Sequence, residues 1–100
     1  MSKIGDLIRS SNEVILVPEI FDCASAKAAD LNGFKAIMIS SADLANSLCG
    51  VPDGFISVDE IVRVVERISD MTEMPVIMDA DYGYGTPLHC YHAVKRMAKV

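Results

Sequence analysis

The 100-residue sequence contains no tryptophan, and aromatic residues make up only 6% of it. It has no basic excess: 9 Lys+Arg stand against 14 Asp+Glu, a formal net charge of -5. Nucleic-acid partners are recognised through a basic footprint, which is missing, so none is expected. No uninterrupted apolar run approaches the roughly 20 residues of a membrane-spanning helix, so no membrane partner is expected either. The first residues, Met1-Ser-Lys-Ile-Gly-Asp6, lack the basic region and apolar stretch of a secretory signal. The three cysteines, Cys23, Cys49 and Cys90, are widely spaced and form no Cys-x-x-Cys. That pattern suits a disulfide framework poorly, and the expectation is a reduced, cytoplasmic protein whose cysteines are small buried apolar residues. There is no low-complexity stretch and no linker-like run of Pro, Gly and Ser.

What the chain has in quantity is apolar residues, 51% against 23% charged, too many for a disordered segment. They fall into a dense alternation of strand and helix patterns within what length alone suggests is one domain. Ile4, Leu7 and Ile8 mark a short N-terminal amphipathic helix. The continuous run Val14-Ile-Leu-Val17 reads as a strand buried on both faces and ended by Pro18. Asp22 or Ser25 caps a helix over 24–31, which Asn32-Gly33 terminates. Ala36-Ile-Met-Ile39 is the second strand; a small-residue helix over 42–48 and a loop over 49–55 follow. Ser57-Val-Asp-Glu60 fits a capping box, and the helix behind it buries Val58, Ile61, Val62, Val65 and Ile68. Pro75-Val-Ile-Met78 is the third strand. Thr86 caps a last helix with Pro87 at its first position and an apolar stripe of Cys90, Ala93, Val94 and Met97. Met38, Met78 and Met97 are expected in the core.

Three strand-helix units behind a leading helix imply an α/β fold with a parallel sheet. An open doubly wound sheet and a (β/α)8 barrel both fit. Three units cannot close a barrel, which takes about 250 residues. The helical pattern runs to Lys99-Val100 without a glycine cap. On the barrel reading, residues 1–100 are therefore expected to be the N-terminal portion of a longer single domain.

The segment Met78-Asp-Ala-Asp-Tyr-Gly-Tyr-Gly85 carries the most chemistry. Residues two apart on a strand share a side, so Asp79 and Asp81 are expected to project together from the carboxyl end of the third strand. Ligands bind at that end in both architectures. Two converging carboxylates repel and resist desolvation, and a hard divalent cation relieves both; magnesium suits a pair of carboxylates with several waters. Gly83 and Gly85 would let the backbone approach a ligand. The same Asp-x-Asp also fits helix-capping aspartates in a turn. Ser40-Ser41-Ala42 could offer backbone N–H groups and hydroxyls to carboxylate oxygens, or be an ordinary turn. Asp53, between Pro52 and Gly54, gains interest only if its loop covers the strand ends. His89 and His92 lack the further ligands of a metal site.

Taken together these segments resemble the isocitrate lyase/phosphoenolpyruvate mutase superfamily, whose members include 2-methylisocitrate lyase, dimethylmalate lyase, oxaloacetate decarboxylases and phosphonomutases. The resemblance runs from about Val17 onward, through Pro18-Glu-Ile-Phe-Asp22, Ser25-Ala26, Asn32-Gly-Phe34, Ile39-Ser-Ser-Ala42, Ser47-Leu48 and Val51-Pro-Asp53. Its most specific part is Pro75-Val-Ile-Met-Asp-Ala-Asp-Tyr-Gly-Tyr-Gly85. It implies the opening three βα units of a (β/α)8 TIM-type barrel, preceded by a short helix, in a parent that is a homo-oligomer. It implies that Asp79 and Asp81 hold Mg2+, directly or through water. Ser40, Ser41 and Ala42 match the segment that binds the oxo-acid substrate, with Ser41 where the family usually has glycine. Asp53 matches a loop aspartate that supports the metal's waters or the substrate, and Tyr84 an aromatic position between the glycines. The family's lyases place their acid/base cysteine in a Lys-x-Cys-Gly-His motif that none of the three cysteines here occupies. The implied parent is a magnesium-dependent carbon–carbon lyase acting on a small 2-hydroxy- or 2-oxo-carboxylate through an enolate. The alternatives are a phosphonomutase, an oxaloacetate decarboxylase or hydrolase, and, from a different class, a non-enzymatic flavodoxin-like magnesium-binding module.

Overall fold

A parallel sheet in the order β1-β2-β3 organises the chain, built from Glu19–Ile20, Ile37–Ile39 and Val76–Met78. The computed structural model describes residues 3–50 and 56–100. Among the described residues, five helices accompany the sheet: α1 (Lys3–Ser10), α2 (Cys23–Leu31), α3 (Ser41–Ser47), α4 (Val58–Met71) and α5 (Pro87–Met97). The register pairs Ile20 with Ile39 and Ile39 with Met78 on one face, and Glu19 with Met38 and Met38 with Ile77 on the other.

The first of these faces makes the core. Ile20, Ile37 and Ile39 are buried with Ala26 and Ala29 of α2, Leu44 and Ala45 of α3, and Ile61, Val65 and Ile68 of α4. Each fully buried isoleucine contributes about 1.5–3 kcal/mol relative to exposure. The predicted stripe of α4 is largely observed: Ile61, Val62, Val65 and Ile68 are buried and Val58 is half-buried. Met78 and Met97 pack against the core from half-buried positions.

Helix ends follow local chemistry. Asp22, Ser57 and Thr86 each cap a helix in a reciprocal capping box, with Ser25, Glu60 and His89 as third-position partners. Pro87 opens α5, where its missing N–H would have had no helical partner. Gly33 leaves α2 at φ +81°, a left-handed conformation that favours glycine.

Four expectations need correction. The first strand lies beyond Pro18, not before it: the Met38 N–H donates to the Pro18 carbonyl at 3.0 Å, so proline starts the pairing. Proline lacks a donor but keeps its carbonyl, which suits the first position of an edge strand. Val14 and Leu16 are 91% and 71% exposed, while Ile15 and Val17 line a small apolar cleft with Ile4, Ile8 and Ile77. The run is therefore covered on one side only. In α5, Val94 is 53% exposed and only Ala93 is fully buried. That helix ends at Met97, and the Lys99 and Val100 N–H groups fold back onto Arg96 and Met97 carbonyls. No cysteine is buried: Cys23 and Cys90 are half-buried and Cys49 is exposed. The flavodoxin-like alternative requires β1 between β2 and β3, whereas β2 occupies the centre.

Candidate metal and substrate site

The carboxyl ends of β2 and β3 bring two short segments together. The ladder continues one step past β3, where the Asp79 N–H donates to the Ile39 carbonyl at 3.1 Å. This bond sets Asp79 beside the start of α3. The Asp79 carboxylate then accepts from three donors: the Asp81 N–H at 2.9 Å on Oδ1, and the Ser41 N–H at 3.3 Å and hydroxyl at 3.0 Å on Oδ2. The Asp81 N–H, and then Ser41, hold the Asp79 carboxyl below its usual range, against the opposing effect of burial. Asp79 is thereby fixed as an anion.

Asp81 joins it by a different route from strand periodicity. The strand stops at Met78, and Asp81 turns back at φ +47°, a left-handed conformation that aspartate tolerates better than most residues. Its Oδ1 lies 2.8 Å from the same Ser41 hydroxyl. Tyr84 also has positive φ, at +67°. Two non-glycine residues in this region concentrate backbone strain in the turn, of order 1–3 kcal/mol each.

The glycines serve the helix behind them. A Cβ on Gly83 would lie 2.7 Å from the Cys90 Cβ, and one on Gly85 would lie 2.9 Å from His89 Nδ1. Their bareness lets the turn pack against α5. His89 itself is engaged at the helix start, where its Nδ1 accepts from the Thr86 N–H at 3.1 Å.

Tyr84 packs its ring against the core and directs its hydroxyl to the Asp79 carbonyl at 3.5 Å. Burial first, then the charges of Asp81 and Asp79, push its phenol up to about 12. Ser40 is buried, and its hydroxyl accepts from the Asp43 N–H at 3.4 Å, capping α3. Ala42 is half-buried in the first turn of α3. The Ser40 and Ser41 hydroxyls are thus engaged with neighbouring groups of the chain, the turn chemistry that the sequence also allowed. Asp53 lies outside the described residues. A cleft of about 390 Å3 beside Asp81 is lined by Tyr82, Tyr84 and Gly85 on one wall and by Ile56, Ser57 and Val58 on the other.

The donor set suits a hard cation. Two carboxylates and a hydroxyl converge, and every atom is oxygen. Among the described residues, no group of three His, Cys, Asp or Glu side chains could hold an ion. Sequence reasoning marked Ser41 for substrate and missed its place between the two acids. The available signal was a hydroxyl side chain in a segment otherwise suited to bare backbone.

The sequence model of the family described as phosphoenolpyruvate phosphomutase matches residues 5–100. The 2-methylisocitrate lyase of Aeropyrum pernix is 30% identical over 88 residues, covering 87% of this chain and 28% of that protein. The oxaloacetate decarboxylase of Chromohalobacter salexigens is 33% identical over 92 residues, covering 90% and 32%. Among solved structures, oxaloacetate acetylhydrolase in complex with oxalate superposes with a TM-score of 0.88 at 27% identity, covering 97% of this chain and 35% of that one. A 2,3-dimethylmalate lyase of the PEP mutase/isocitrate lyase superfamily superposes with a TM-score of 0.86 at 26% identity, covering 96% and 34%. The chain spans about a third of the length of these relatives. A match that runs from Gly5 to Val100 and takes in the whole sheet and both acids establishes the lineage: the chain belongs to the phosphoenolpyruvate phosphomutase family, within the PEP mutase/isocitrate lyase superfamily.

Proposed function

We propose that residues 1–100 form the opening three βα units of a (β/α)8-type barrel, part of a magnesium-dependent carbon–carbon lyase acting on a small 2-hydroxy- or 2-oxo-carboxylate. The observation that carries this reading is the meeting of Asp79 and Asp81 at one point beyond the carboxyl end of a parallel strand. Relatives named as 2-methylisocitrate lyase and 2,3-dimethylmalate lyase support the reaction class. On this reading the parent is a cytoplasmic homo-oligomer.

Asp79 and Asp81 are the residues that would hold Mg2+. When bound, such an ion stabilises negative charge that develops on a substrate oxygen as the carbon–carbon bond breaks. The chain's own residues supply the surroundings. The Asp81 and Ser41 N–H groups keep Asp79 ionised and oriented, so little reorganisation remains when a ligand arrives. Tyr84 packs its ring against the core side of the turn and directs its hydroxyl to the Asp79 carbonyl. The segment Ser40-Ser41-Ala42 and Asp53 are assigned to the substrate side. The acid/base group that handles the proton is not assigned to any residue of this chain, so the isolated chain is expected to be inactive. An oxaloacetate decarboxylase is the second reading, favoured by the 33% identity to such enzymes. It would use the same pair of acids.

Calorimetric titration with Mg2+ tests the site. The chain should bind, and Asp79→Ala should weaken binding by at least about tenfold while far-ultraviolet circular dichroism is unchanged. Equal binding by both proteins would remove the site.

A further inference from the structure

His89 fills a place in its capping box that is ordinarily taken by Glu or Gln. At the start of α5 the Thr86 hydroxyl accepts from the His89 N–H, and the imidazole reaches back to the Thr86 N–H. Its Nδ1 accepts that N–H at 3.1 Å and lies 2.7 Å from the Thr86 Oγ. A ring nitrogen accepts only while it carries no proton, so this geometry requires the neutral tautomer with its hydrogen on Nε2. The ring also seats against Gly85, where a Cβ would come within 2.9 Å of Nδ1 and 3.0 Å of Cγ. Two residues earlier, Gly83 packs against Cys90. The turn that carries Asp81 and Tyr84 is thus fastened to α5 at two neighbouring points, one of them a titratable ring exposed to solvent.

We propose that His89 is a pH-sensitive latch: neutral, it fastens the start of α5 to the glycine turn, and protonated, it lets that turn loosen. Protonation at Nδ1 sets an N–H against the Thr86 N–H, two donors with no acceptor between them. The contact with the Thr86 hydroxyl survives with its direction reversed. Protonation also puts a positive charge at the positive end of the α5 dipole, and the first turn of α5 has no acidic residue to offset it. Other charged and titratable groups lie on the elements packed around the ring. The turn carries Asp79, Asp81, Tyr82 and Tyr84, and His92 follows one helical turn further along α5. On α4, Asp59 is paired with Arg96 with Arg63 beside it, and Glu60 accepts from the Ser57 N–H. Among the described residues His89 itself forms no ion pair. The acids favour an imidazolium through space, but none of them supplies the acceptor that the Thr86 N–H loses. Imidazoles change charge within about pH 5–8, so a latch of this kind works near neutrality. It operates whatever the two acids of the turn bind.

Long-range proton–nitrogen NMR correlations on the wild-type chain read the ring itself. At about pH 8 they should show His89 with Nδ1 bare and its hydrogen on Nε2. The Gly83 N–H, which donates to the Ala80 carbonyl at 2.9 Å inside the turn, reports loosening through hydrogen exchange corrected for the intrinsic effect of pH. Its protection should fall on the order of threefold to tenfold as His89 takes up its proton, the range expected for loss of a capping contact. His89→Gln keeps a side chain that can accept the Thr86 N–H and does not titrate, so its Gly83 protection should stay level over the same span. His92→Gln should behave as wild type, which separates the two histidines. A merely structural histidine would show the same tautomer with Gly83 protection indifferent to its titration. A neutral ring with its hydrogen on Nδ1 overturns the proposal on the wild-type chain alone. So does wild-type Gly83 protection that stays level through the His89 titration, or a fall that His92→Gln abolishes and His89→Gln does not.

Discussion

Gly83 and Cys90 are packed so closely that a β-carbon on the glycine would lie 2.7 Å from that of the cysteine. The contact joins the turn bearing Asp81 to helix α5, and Gly83 also needs its φ of +95°. Gly83→Ala therefore meets two obstacles, a strained backbone and an overlap with a helix. The expected loss is about 1–3 kcal/mol, read as a lower urea midpoint. Truncating the cysteine does not cure it, because Cys90→Ala keeps the β-carbon. The double variant Gly83→Ala/Cys90→Ala should remain well below Cys90→Ala alone. If it matches Cys90→Ala, the packing account of the glycine fails.

Asp22 offers a test by pH. Its carboxylate accepts from the Ser25 N–H at 2.7 Å, and that bond, followed by the Ser25 hydroxyl, holds its pKa below the usual 3.8. A depressed folded-state pKa means that the charged cap stabilises the fold above the unfolded value, and that the contribution is lost as pH falls through the folded value. Asp22→Asn keeps a capping oxygen and cannot titrate there. It should lie within about 1 kcal/mol of wild type at neutral pH. As pH falls past the usual 3.8 and through the depressed folded value, the wild type should lose more stability than the variant. Parallel acid-denaturation curves for the two proteins would remove the charge from the explanation.

Tyr84 moves the other way. Burial and two nearby acids raise its phenol to about 12, so the folded chain holds that proton more tightly than the unfolded chain. Its contribution is fully present below the unfolded value of about 10 and is lost as pH rises from there through about 12. The phenolate absorbance that disappears in Tyr84→Phe should have its midpoint near 12 in the wild type. Asp81→Asn should lower that midpoint by removing one of the charges while leaving burial. A midpoint unmoved by Asp81→Asn would remove the Asp81 charge from the explanation and leave burial with Asp79.

These three residues show which parts of the structure could be read in advance. The Asp22 and Thr86 caps were legible because a helix start depends on a few adjacent residues, and the α4 stripe because one face repeats every three or four positions. The position of β1 was not. Val14-Ile-Leu-Val17 has strand composition, but pairing is decided by which backbone groups meet β2, and they begin at the Pro18 carbonyl. The side-by-side placement of Asp79 and Asp81 matched a period-two pattern for the wrong local reason, since Asp81 has left the strand at φ +47°. The contact of Gly83 with Cys90 spans a turn and a helix and has no signature in either alone.

The β1 approach also decides how the chain behaves in solution. Val14 and Leu16 are 91% and 71% exposed, beside an edge whose only partner among the described strands is β2. An uncovered strand edge next to apolar side chains is a template for pairing with another chain. Sedimentation velocity should therefore find the wild-type chain as concentration-dependent species heavier than 10.8 kDa. Leu16→Lys places a charge on the exposed side and touches none of the core residues, so its unfolding free energy from urea denaturation should stay within about 0.5 kcal/mol of wild type. Its sedimentation should shift toward the monomer, because pairing would now bury an unpartnered ammonium group. Val14→Lys should act in the same direction, while Ile15→Lys, on the side facing α1, should destabilise the fold instead. A wild-type chain that sediments as a monomer at every concentration would show that this edge is already protected.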